Sequence, residues 1–84
     1  MKCALYGLIS PPTADTVVDI SSLNLTSPED YMVIVSGDGY AHAGDWASDL
    51  NMGTITDKTA TSFTIQGNTR ADQCKLSYQV ITFR

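Results

Sequence analysis

At 84 residues the chain has room for one domain, residues 1–84, and for only a thin core. Its charge is −4, and its cations, Lys2, Lys58, Arg70, Lys75 and Arg84, are scattered. No basic stripe exists to neutralise phosphates, which argues against nucleic-acid binding and against an anionic membrane surface.

Charged residues are 17% of the chain and hydrophobic ones 43%. The charge content is below the usual quarter. It suits either a surface covered by a neighbour or a neutral soluble protein rich in Ser and Thr. No run reaches the length of a membrane-spanning helix. The apolar stretch Cys3 to Ile9 is too brief for a secretion signal. The expectation is a soluble chain made in a cytoplasm.

Period-two segments follow one another along the chain. Lys2 to Ile9 reads as a first strand, stopped by Ser10-Pro11-Pro12, since proline lacks the amide donor a central strand needs. Asp15 to Ile20 is a second strand, with Val18 and Ile20 on one face. Ser21 to Asp30 is rich in turns, with Leu23 and Leu25 tucked under the sheet. Ser27 followed by Pro28 suits the start of a short helical turn.

Tyr31 to Val35 has two apolar faces: Tyr31, Val33 and Val35 on one, Met32 and Ile34 on the other. A strand apolar on both sides is covered on both sides. Ser36 to Gly53 reads as the longest irregular stretch, and loops of that length are commonly functional. Gly53 to Thr56 and Thr61 to Gln66 form a hairpin with Phe63 and Ile65 inward. After a polar turn, Gly67 to Asp72, the closing strand runs from Cys74 to Phe83. Leu76, Tyr78 and Val80 join Cys74 on its core side, and Ile81 and Phe83 lie opposite.

The predicted fold is therefore all-β: a small antiparallel sandwich of about six or seven short strands, without substantial helix. One sandwich has one interior, so Met32, Ile34, Ile81 and Phe83 form a left-over apolar face. They are the candidate interface residues of a homo-oligomer or of a seat on a larger protein.

The two cysteines, Cys3 and Cys74, lack the spacing of a metal site. They read as buried thiols or as a disulfide between terminal strands. Such a bridge would close a loop of about 70 residues and contribute roughly 3–4 kcal/mol.

No nucleotide-binding or hydrolase motif is present, and the sequence points to a non-enzyme without cofactors. The only concentration of site-like residues is Asp38, Tyr40, His42, Asp45 and Trp46. Asp38 and Asp45 lack the oxygen-ligand spacing of a calcium loop, so no metal is expected. A carbohydrate site fits better: sugar rings stack on Trp or Tyr, while Asp, His and backbone groups take the hydroxyls. The alternative is that Trp46 plugs one end of the core while Gly and Asp make turns.

Four segments then carry a resemblance. They are Val17-Val18-Asp19-Ile20-Ser21-Ser22-Leu23, Asp30-Tyr31-Met32-Val33-Ile34-Val35, Lys58-Thr59-Ala60-Thr61-Ser62-Phe63-Thr64-Ile65 and Leu76-Ser77-Tyr78-Gln79-Val80-Ile81. In order and spacing they resemble the β-sandwich modules at bacteriophage tail-fibre tips and the related H-type-lectin-like domains. The likeness spans residues 17–83. The chain has one lone His where some fibre tips carry His-x-His pairs. The resemblance implies a virion protein, a homotrimer, and recognition of a bacterial surface glycan or protein. A structural virion protein, such as a head decoration or an accessory subunit clamped to other virion proteins, is the alternative.

Overall fold

A computed structural model of the chain describes residues 1–39 and 53–83, with the backbone alone for residues 38 and 39. Six strands are present among the described residues: β1 (Lys2–Ile9), β2 (Thr16–Asp19), β3 (Tyr31–Gly39), β4 (Ile55–Thr56), β5 (Ser62–Ile65) and β6 (Cys74–Thr82). They form two three-stranded antiparallel sheets, β1-β6-β3 and β2-β5-β4. The chain crosses repeatedly from one sheet to the other. Its last strand lies between the first and the third, so the first sheet is complete only when the C-terminal segment is in place.

The core lies between the sheets. Val18, Ile20, Phe63 and Ile65 enter from the second sheet and the residue after β2; Tyr31, Leu76 and Val80 enter from the first. Phe63 is the hub. Its ring centroid lies 6.0 Å from that of Tyr31 and 6.2 Å from that of Tyr78, the latter pair edge to face. Such geometries add to the burial term, because the positive ring edge meets the negative ring face. Gly7 pairs with Tyr78, and a Cβ on Gly7 would overlap the Tyr78 side chain. The bare backbone of β1 is what lets that ring lie across it.

Between β2 and β3 the chain makes two 3-10 turns, Ser21–Leu23 and Pro28–Asp30. The second is closed by a capping box. The Ser27 hydroxyl accepts from the Glu29 amide at 3.2 Å, and the Asp30 carboxylate accepts from the Ser27 amide at 3.1 Å. The Asp30 carboxylate also takes the Thr26 amide and hydroxyl at 3.2 and 3.0 Å. This local network satisfies a buried charge and aims the chain into β3. Leu23 and Leu25 are half-buried against the core, as the sequence predicts.

Tyr31 joins the two sheets. Its hydroxyl donates to the Thr59 carbonyl, 2.7 Å away in the β4–β5 connection. The Lys58 ammonium sits 4.2 Å over its ring and donates to the Tyr31 carbonyl at 2.6 Å. Burial raises the Tyr31 phenol above its ordinary value. The folded chain therefore holds this proton more tightly than the unfolded one. The neutral phenol's contribution is intact below about pH 10 and is lost as pH rises through the elevated folded value. Denaturant midpoints are expected to fall above about pH 10 in the wild type and to depend less on pH in Tyr31→Phe. Equal slopes in the two proteins would contradict this.

Two expectations need correction. Cys3 and Cys74 are not bridged. The terminal strands do pair, but antiparallel: Cys3 lies opposite Ile81, at the far end of β6 from Cys74. Seven residues of strand separate these positions by roughly 23 Å, whereas bridged Cα atoms lie within about 7 Å. Cys74 is a buried thiol, as one reading had it, and Cys3 is exposed. The irregular stretch also does not begin at Ser36. β3 continues to Gly39, with Ser36 to Gly39 paired against Ser77 to Cys74. The long β6 offers a continuous ladder, and backbone pairing persists after the apolar alternation has ended.

Candidate functional site

The register of the first sheet decides which side chains share its outer face. Three cross-strand rows emerge: Cys3–Ile81–Met32, Tyr6–Gln79–Ile34 and Leu8–Ser77–Ser36. The alternate residues Leu5 and Ile9 of β1, Tyr31, Val33 and Val35 of β3, and Leu76, Tyr78 and Val80 of β6 belong to the core or pack against it. Within the three rows Ile81 is half-buried and the rest are exposed. Phe83 follows Ile81 by two residues and extends the first row's end of the face, with its amide held by the Asp30 carbonyl at 3.2 Å. The four residues expected as an interface, Met32, Ile34, Ile81 and Phe83, are thus brought together on one surface.

The sequence reading missed Tyr6 and Leu8. A bulge lies behind this: pairing shifts between Cys3 and Leu5. Simple alternation from Cys3 would put Cys3, Leu5, Gly7 and Ile9 on one face. The extra residue instead leaves Cys3 outward with Tyr6 and Leu8, and turns Leu5 and Ile9 towards the core. The signal was present nonetheless, because Leu5 to Ile9 is apolar at both parities apart from Gly7, as Tyr31 to Val35 is.

No charged residue occurs in those three rows. The next row along β6 brings in Lys75, whose backbone pairs with that of Asp38. The second sheet differs. Its outward positions include Val17, Asp19, Ser62 and Thr64, and of these only Val17 is a large exposed hydrophobe.

A cleft of about 500 Å³ opens beside the start of β1. Ala4, Leu23 and Leu25 give it apolar walls; Lys2, Ser22 and Asn24 give it polar ones, with Cys3 alongside. Asn24 has a left-handed backbone, φ 55°, in the turn that closes this wall. Among the described residues neither a carboxylate nor an imidazole lines the cleft. It holds a thiol, from Cys3, and an amine, from Lys2.

The Asp19 carboxyl, at the exit of β2, is held below the usual carboxylate range by hydrogen bonds from Ser21, whose amide donates at 2.8 Å. It shapes a turn and faces no cleft group. Of the expected sugar-site residues, Tyr40, His42, Asp45 and Trp46 lie outside the described residues, and Asp38 is placed by its backbone only. Among the described residues no group of His, Cys, Asp and Glu is arranged to hold a metal. Likewise no described helix is long and apolar enough to cross a membrane. Family models, curated proteins and solved structures contain no match to this chain.

Proposed function

We propose that the chain is a non-catalytic module of a bacteriophage virion surface, a fibre-tip or receptor-binding protein that recognises a host glycan or protein. The observation that carries this reading is the outer face of the first sheet, on which Met32, Ile34 and Ile81 meet without a charge. Catalysis gains nothing from such a surface, whereas assembly requires one: a flat apolar face needs a cover, and the cover is another protein. The resemblance of residues 17–83 to fibre-tip modules supplies the setting. It implies a homotrimer that recognises a bacterial surface glycan or protein, and the residue types of Asp38, Tyr40, His42, Asp45 and Trp46 make their segment the candidate for that contact.

The same face favours a second reading. A decoration or stabilising subunit would seat it permanently on another virion protein and carry no ligand site.

The two readings part on one pair of measurements. Labelled protein is applied to an array of bacterial surface polysaccharides, with Trp46→Ala beside it, and to particles of the virus that encodes it. The receptor reading expects polysaccharide binding that Trp46→Ala abolishes with little change in melting temperature. Particle binding alone selects the structural reading. Binding to neither rules out the virion assignment.

A further inference from the structure

We infer that the outer face of the first sheet packs against the same face of a second copy, as a two-fold dimer with Gln79 at its centre. This rests on the proposal above that the face is covered by another protein, and it departs from the threefold assembly that the resemblance implies.

Area is the first argument. Tyr6 is 79% exposed, Leu8 66%, Met32 42%, Ile34 44% and Phe83 46%. At usual side-chain areas these five leave roughly 500–600 Å² of apolar surface in water, at the top of the range for the largest patch of a monomer. Homodimer interfaces are about 65% apolar, so this patch with its polar positions corresponds to roughly 800 Å² per partner. That is the size of a standard stable interface.

Number of patches is the second argument. A ring of three or more copies joins two different surfaces of the subunit, whereas a two-fold dimer uses one surface twice. The described residues offer one apolar surface. Beyond its five large hydrophobes, the exposed ones are Met1, at the terminus, and Val17, alone on the other sheet.

Charge is the third. Two copies of a chain of net charge −4 repel each other in general. They approach most easily through a face that carries none of that charge, and the three rows from Cys3–Ile81–Met32 to Leu8–Ser77–Ser36 carry none.

Gln79 occupies the middle position of the middle row, on the central strand. With the two-fold axis through the centre of the face, parallel or perpendicular to the strands, Gln79 lies opposite its own copy. Packed sheets are about 10 Å apart, so side chains at that position meet. The paired glutamine amides can satisfy each other there, each donating to the other's carbonyl oxygen.

The test uses the full chain with Cys3→Ser, which removes the single exposed thiol. Into it go Gln79→Cys or, as a control on the second sheet, Val17→Cys. Mass is measured by light scattering at high micromolar concentration. Interchain cross-linking is read on denaturing gels after brief treatment with a short bismaleimide, because sheets about 10 Å apart hold facing cysteines too far apart for a direct disulfide. The expected result is a dimer mass and cross-linking of Gln79→Cys at least tenfold faster than that of Val17→Cys. A monomer mass at that concentration overturns the inference. So does equal cross-linking of the two variants. A trimer mass also overturns it, while leaving the proposed virion role intact, which fails only on the particle and polysaccharide measurements.

Discussion

Replacing Phe63 by Ala is expected to remove about 3–5 kcal/mol of stability, a large share of what a domain of this size holds. Phe63 has no exposed surface, and it touches aromatic rings contributed by β3 and by β6. Truncation leaves a hole between the sheets, and neither sheet can close it without breaking its own ladder. The core is too small to absorb the loss. Among the described residues seven buried ones form its centre, and domains of this length have total stabilities of roughly 5–10 kcal/mol. Phe63→Leu keeps most of the volume and is expected to cost less than half as much. Urea unfolding followed by far-ultraviolet circular dichroism separates the outcomes. An Ala variant with a midpoint near the wild type would show that the two sheets do not depend on this ring.

The core was legible because it follows alternation. Val18, Ile20, Phe63, Ile65, Leu76 and Val80 all occupy the inward parity of segments whose limits were set by Pro, Gly and Asp. The capped turn at Ser27 was legible for a similar reason: its chemistry is local, spanning Thr26 to Asp30. What alternation does not determine is register between distant strands. Cys3 and Cys74 sit in strands that pair, yet only the antiparallel offset of β1 on β6 shows that they lie at opposite ends of β6. The bulge near Ala4 is equally non-local, since it exists only relative to Val80 and Ile81 across the ladder. Half of the outer face was therefore visible in the sequence as unexplained apolar residues, Met32, Ile34, Ile81 and Phe83. The other half, Tyr6 and Leu8, waited on that one-residue slip. The end of β3 was misjudged for the same reason: Ser36 to Gly39 have no apolar pattern of their own and are strand because β6 runs beside them.

Ile34→Asp is expected to dissociate the assembly while leaving the fold in place. Ile34 is about half exposed, in the middle of β3 and opposite Gln79. In the isolated subunit an Asp at that position meets water, and the cost is confined to strand preference, at most about 1 kcal/mol. In the assembled state the same carboxylate is buried without a cation, because the surrounding rows contain none. Stranding one charge in this way costs roughly 3–5 kcal/mol, and a two-fold assembly buries two. Dissociation constants are then expected to rise at least about a thousandfold, which converts assembly at micromolar concentration into monomer. Val17→Asp makes the same chemical change on the outer side of the second sheet and is expected to leave the mass unchanged. Light scattering with thermal melts on the wild type and both variants checks the argument. If Ile34→Asp assembles as tightly as the wild type, the outer face of the first sheet is not where copies meet, and its apolar rows need another cover. If it unfolds at room temperature while Val17→Asp does not, the side chain is part of the subunit's own core, contrary to its exposure in the structure.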